Sequence, residues 1–177
     1  MELSEGKGCK MDHIGQVINA MIAYYAGDVR RINHFLKVYG FAKAIGEMEG
    51  LDESTQEIIE IAALTHDIGI KNSEKKYNSS AGNYQQIEGP PEAKKLLEGL
   101  GIESSVIDRV CWLIARHHTY TDIEGIDYQI LVEADFLVNA FEDNMLVASI
   151  ESFMNKVFET KTGTGLLKTM YALQHEP

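Results

Sequence analysis

At 177 residues the chain is long enough for one substantial hydrophobic core and short for two, so a single domain over 1–177 is expected. With 45% hydrophobic and 24% charged residues it has the composition of an ordinary folded protein rather than a disordered one. A formal charge of −11 would repel a phosphate backbone and argues against long nucleic acid as a partner. It leaves room for a small phosphorylated molecule, because a bound cation can reverse the local potential.

After a polar lead-in, Met11 to Ala26 reads as a helix, and the Gly27-Asp28 break supplies a cap for the next. That second helix, Val29 to Glu47, carries His34, Val38, Phe41 and Ile45 along one stripe. Asp52 to Ser54 starts a third helix whose Ile58, Ile59, Ile61, Ala62, Ala63 and Leu64 make it apolar on most sides and hence buried. It runs into His66-Asp67 and is expected to end near Gly69.

Residues 72–88 are rich in Asn, Ser, Gly and Tyr without apolar periodicity, which predicts a long connection of the mobile or lid type. Pro90 and Pro91 suit the first turn of a further helix, interrupted by Gly99 and Gly101. From Glu103 to His118 the apolar positions follow the helical period, and His117 falls on the same stripe as Val106, Val110, Leu113 and Ile114. Tyr128 to Asn144 aligns Leu131, Asp135 and Val138, with Asn139 one turn past Asp135. Val147 to Glu159 and Leu166 to Leu173 are two more helical runs.

No alternating pattern is long enough for a sheet, so an all-α single-domain bundle of about seven or eight helices is predicted from these runs. No stretch approaches the roughly 20 apolar residues of a membrane span, and Met1 to Lys10 lacks the apolar core of a signal peptide. A cytoplasmic protein with no membrane partner is expected. Cys9 and Cys111 form neither a CxxC pair nor a disulfide framework and read as free thiols in a reducing compartment.

Four of the six histidines and two aspartates fall on inward faces of four predicted helices. Buried ionisable groups need a partner, and a metal cation suits imidazole nitrogen and carboxylate oxygen together. A lone His-Asp pair carries little weight, since roughly one chain in three of this composition has one by chance. The weight comes from the order: an inward His34, then His66-Asp67, then His117-His118, then an inward Asp135.

With these residues in place, the chain resembles the HD-domain superfamily of metal-dependent phosphohydrolases. The matching segments are RINHFLKVYGFAKA, AALTHDIG and LVEADFLVNAF, and the resemblance covers about 28–143, with the helices of 147–175 beyond it. It implies one divalent transition metal, Mn, Fe, Ni, Co or Zn, held by His34, His66, Asp67 and Asp135. Binuclear members add a His between the two histidine-bearing motifs and a His-His pair. His117-His118 matches the pair, but no histidine lies between His66 and His117, so Glu88 is the carboxylate considered in its place. The bland readings are a helix-end charge for Glu88 and an outer role for His118.

The resemblance also implies hydrolysis of a phosphomonoester or phosphodiester of a small nucleotide or related metabolite by a metal-activated water, with Asp67 bridging or orienting the metals. Family members often read HDIGK. Here the run is HDIGIK, so Lys71, the candidate phosphate contact, arrives one residue late and about 100° further round if the helix persists. Arg30, Arg31, Lys75, Lys76 and Arg116 are other bases near the expected mouth, and Tyr77 and Tyr84 could stack on a base. The HDxxED pattern of guanosine-tetraphosphate hydrolases and the GYP motif of cyclic-di-nucleotide enzymes are both missing. A di-iron oxygenase of the same superfamily, or a metal-containing nucleotide-binding signalling module, are the alternatives. Oligomeric state is left open, a homodimer included.

Overall fold

The computed structural model describes residues 13–173. Among them are nine α-helices and no strand: α1 (His13–Tyr24), α2 (Val29–Glu49), α3 (Glu53–Thr65), α4 (Ile70–Tyr77), α5 (Gly82–Gly99), α6 (Ser104–Ile114), α7 (Ile126–Glu142), α8 (Val147–Val157) and α9 (Lys161–Met170). The all-α class expected from the sequence is the one observed. Cys9, the expected helix start at Met11 and the chain end at 174–177 lie outside the described residues. No described helix is long and apolar enough to cross a membrane.

Local chemistry sets the boundaries that carry the site. Asp28 caps α2, its Oδ1 accepting from the Arg31 amide at 3.1 Å. The helix stops at Gly50, whose φ of 76° is a left-handed conformation open to glycine at low cost, and the Leu51 amide closes the turn on the Gly46 carbonyl at 3.0 Å. Asp52 caps α3 by accepting from the Ser54 and Thr55 amides, both at 3.0 Å.

The core is built around α3 and α7. Helix α2 packs against both, α1 covers α3, α6 lies on α3 and α5, and α9 closes over α2 and α7. Thirteen of the 17 residues of α7 are buried, so it is covered on nearly every side. That burial includes Glu133, which accepts from Gln129 Nε2 (2.7 Å), the Glu159 amide (2.7 Å), the Thr160 amide (2.9 Å) and the Thr160 hydroxyl. With its acceptor sites filled, a carboxylate that would be costly to bury ties α7 to the α8–α9 connection.

Several boundaries differ from the sequence expectations, among them the start of α9 at Lys161 rather than Leu166. The 72–88 segment is not a long loop: α4 and α5 occupy it, leaving only 78–81 between them. Its order comes from contacts that composition does not show. Tyr77 and Tyr84 stack at 4.2 Å with planes 11° apart, and the Ser73 hydroxyl donates to the Gly69 carbonyl at 2.9 Å. Pro90 and Pro91 stand inside α5 rather than opening it. Two interior prolines forfeit hydrogen bonds, a loss set against the burial of Gln85, Glu88, Gly89, Ala93 and Leu97 on one face.

Gly69 does not terminate α3, which ends at Thr65. It has right-handed backbone (φ −69°, ψ −16°) and precedes α4. Its lack of a side chain serves close packing instead: a Cβ there would lie 2.7 Å from both the Gln85 carbonyl oxygen and the Gly89 amide nitrogen of α5. A further difference is at α6, which ends at Ile114, so His117 and His118 stand in the turn after it and not on the helix.

Candidate metal centre

Four elements deliver the ligand candidates to one place. His34 lies in the second turn of α2, His66 and Asp67 follow the last residue of α3, His117 and His118 follow α6, and Asp135 sits mid-way along α7. His34 Nε2 is 3.3 Å from His66 Nε2, 3.3 Å from Asp135 Oδ1 and 3.5 Å from Asp67 Oδ2. His66 Nε2 is 3.5 Å from Asp67 Oδ2 and from Asp135 Oδ1. The other oxygen of Asp67 faces away from this group: Oδ1 is 3.5 Å from His117 Nε2, and Asp67, His117 and His118 form a second cluster of metal-ligating atoms.

These spacings and the state of the buried atoms fit a metal. Two ligand atoms each about 2.1 Å from one ion, at roughly 90–110°, lie about 3.0–3.4 Å apart. His117 Nε2 and Asp135 Oδ1 are buried with no hydrogen-bond partner, a cost that coordination to a cation would remove. The donor set of imidazole nitrogens and carboxylate oxygens suits a divalent transition ion. His34, His66, Asp67 and Asp135 could hold one ion, and Asp67, His117 and His118 a second.

Without a cation the carboxylates draw protons onto the imidazoles. Burial pushes the His66 pKa down, but Asp67 and Asp135 outweigh it and raise it to about 9. Burial likewise works against the His34 imidazolium, and Asp135 and Asp67 still raise it. Asp67 and Asp135 resist the upward push of burial through the neighbouring histidines and stay below the usual carboxylate range. His118 goes the other way, lowered to about 4 by burial and by His117. An ion entering the His34–His66–Asp135 group therefore competes with protons.

The turn after α3 is pinned by Tyr24, the last residue of α1, and Tyr25, which follows it. The Tyr25 hydroxyl donates to the Asp67 carbonyl at 2.7 Å, and the Tyr24 hydroxyl to the Ile68 carbonyl at 3.2 Å. These carbonyls belong to the tight turn at 66–69, where regular helix pairing stops. His66 and His117 are oriented by Nδ1–H bonds of 2.8 Å to the Ala63 and Ile114 carbonyls, which leaves each Nε2 lone pair for the centre.

Not every residue singled out in the sequence is brought here. Glu88 is buried, but its carboxylate is engaged by the Lys76 ammonium and by the Tyr77 hydroxyl at 2.9 Å, and it belongs to neither ligand cluster. The residue that α5 does present is Gln85, one turn earlier, with Oε1 3.2 Å from His118 Nε2 and its amide donating to the Ser80 carbonyl at 2.7 Å. Lys71 is exposed and turned to α1, donating to the Tyr24 carbonyl at 2.5 Å with its ammonium 4.8 Å from the Tyr24 ring centre. Arg116 stacks on Trp112 at 4.1 Å. Tyr77 and Tyr84 are spent on each other.

A cavity of about 280 Å³ opens beside the centre. His34 and Asp67 line it, together with Arg30, Arg31, Gln85 and Asn139 among others. Glu142, at the end of α7, also borders it and lies 3.1 Å from His34 Nδ1. Sequence reasoning passed over Gln85 and Glu142. The one signal for Glu142 is its place seven residues after Asp135, two turns along the same face of α7.

The HD domain family model matches residues 31–151, a span that includes all six histidine and aspartate candidates. Among solved structures, the chain is similar to a "predicted HD superfamily hydrolase" from an uncultured Thermotogales bacterium, with 24% identity and a TM-score of 0.65 over 90% of this chain and 86% of that one. That likeness is one of fold. A search of curated proteins finds no significant match. The ordered histidines and aspartates, their convergence around Asp67 beside one cavity and the family match over most of the chain lead to one assignment: this protein belongs to the HD domain family.

Proposed function

We propose that the protein is a metal-dependent phosphohydrolase acting on a phosphomonoester or phosphodiester of a small nucleotide or related metabolite. The observation that carries this reading is Asp67, whose two oxygens face two separate ligand clusters and which, with His34, lines an open polar cavity. Membership of the HD domain family supports a metal-dependent hydrolase in general. Divalent ions bound there would supply Lewis acidity to a phosphoryl oxygen and make a water acidic enough to act as nucleophile near neutral pH.

The residues of the chain divide the remaining work. His34, His66 and Asp135 hold one side of the centre, His117 and His118 the other, and Asp67 joins the two. Arg30 replaces Lys71 as the phosphate contact: it lines the cavity one helical turn before His34, whereas Lys71 is held against α1. Arg31 lines the same wall but is already paired with Glu74 at 2.5 Å and Asp28 at 3.0 Å, which suits it to shaping the wall. Asn139 offers a neutral hydrogen-bonding group for the substrate's hydroxyls, while Gln85, engaged with His118 and Ser80, shapes the wall.

The test is a panel of phosphomonoesters and phosphodiesters, nucleotides among them, offered to metal-free protein reconstituted with Mn, Co, Ni, Zn or Mg. Hydrolysis of at least one small phosphate ester with at least one ion is expected. Fully metallated protein that turns over none of them would falsify the reading.

A further inference from the structure

The three central histidines do not solve the same orientation problem in the same way. His66 and His117 follow helix ends, where carbonyls of the last turn have no later helical amide to serve, so Ala63 and Ile114 accept their Nδ1 protons. His34 has no such carbonyl. It is the sixth residue of the 21-residue α2, where the neighbouring carbonyls are used by the helix itself. Its Nδ1 instead meets Glu142 Oε2 at 3.1 Å, 108 residues away at the end of α7.

Glu142 is itself held. Its other oxygen accepts from Lys37, which is one turn beyond His34 on α2, so the carboxylate is clamped between two side chains of the same helix. The Glu142 side chain is 14% exposed while that of Lys37 is 46% exposed, which places the carboxylate inward of the ammonium. On α7, Asp135 and Glu142 are two turns apart, so one helix face supplies both a ligand candidate and the group that aims another.

We propose that Glu142 is the positioning residue of His34. By accepting the Nδ1 proton it fixes the imidazole tautomer and ring orientation that turn the Nε2 lone pair to the metal, and Lys37 keeps Glu142 in place. A carboxylate behind a ligating imidazole also raises its basicity, so the effect falls on metal affinity. The inference rests on the reading of His34 as a ligand but not on any particular substrate.

Cobalt titration of the metal-free protein, followed by visible absorption with a competing chelator and no substrate present, tests it. Glu142→Ala should weaken binding at the His34–His66–Asp135 group about 10- to 100-fold and leave the Asp67–His117–His118 group with its wild-type affinity. Glu142→Gln, which keeps an amide oxygen for Nδ1–H but loses the charge and is close to isosteric, should recover part of the loss. Lys37→Met should weaken binding in the same direction by less. A carboxylate that served only to join α2 to α7 would lower the thermal midpoint without changing cobalt affinity. That result, or a wild type that binds no cobalt, overturns the proposal. If affinity falls as expected but no phosphoester is hydrolysed, the functional reading fails and the role of Glu142 stands.

Discussion

Asp67 Oδ1 lies 3.5 Å from His117 Nε2, which leaves its second oxygen to His34 and His66 on the opposite side. One carboxylate therefore belongs to both clusters. Removing it should disturb both, whereas removing His117 should disturb only one.

The first prediction follows. Metal analysis under saturating conditions should give close to two ions per chain for the wild type and close to one for His117→Ala. His66→Ala should lose most of the ion held by the first cluster, and Asp67→Ala most of the metal bound at both. A wild-type count fixed at one, unchanged in His117→Ala, would leave a mononuclear centre.

The second concerns Glu88. Because its carboxylate is held by Lys76 and Tyr77, Glu88→Gln should leave the metal count at the wild-type value. Its cost should fall on stability instead, through the packing of α4 on α5, and thermal unfolding of the metal-free protein is the measurement. Loss of one ion in this variant would put Glu88 back among the ligands.

The third separates the two candidate phosphate contacts. Arg30→Ala should raise KM or lower kcat/KM by about 10-fold or more, as expected for one charge-assisted hydrogen bond. Lys71→Ala should change either by less than about 2-fold, since Lys71 is engaged with α1. Both should keep the wild-type metal count. The reverse ranking in steady-state kinetics would restore Lys71 to the site.

The fourth tests the contact that orders α4 and α5. An added Cβ at Gly69 meets backbone atoms at 2.7 Å, while one at Gly89 meets the Ile114 Cγ2 methyl at 2.6 Å, an atom on a side chain that can turn aside. Gly69→Ala should therefore cost more than Gly89→Ala, with overpacking of this kind worth about 1–3 kcal/mol. Thermal midpoints compared in the metal-free state would show it, and equal midpoints would contradict the close approach.

The parts of the protein visible in the sequence are those that rest on spacing within one helix. His34 shares a stripe with Val38 and Ile45, and Asp135 shares one with Leu131 and Val138, so their inward placement follows from the helical period. Segment 72–88 misleads because Asn, Ser and Gly usually mark loops, yet here α4 and α5 are held by a Tyr77–Tyr84 stack and a Gly69–Gly89 approach. Lys71 misleads differently: its neighbour on α1 is 47 residues away, and nothing in HDIGIK points to Tyr24. Glu142 and Gln85 act on histidines 108 and 33 residues distant. Pairs of that kind are set by how helices pack and leave no local signal.

The most direct measurement is a parallel titration of bound metal and hydrolytic rate on one active phosphoester, in wild type and in Asp67→Ala. The wild-type rate should rise with occupancy from zero in metal-free protein, be abolished by chelation and return on adding Mn, Co or Ni. Asp67→Ala should show no rate at any metal concentration. Activity that survives in Asp67→Ala, or that is independent of occupancy in the wild type, would contradict metal-dependent hydrolysis at this centre.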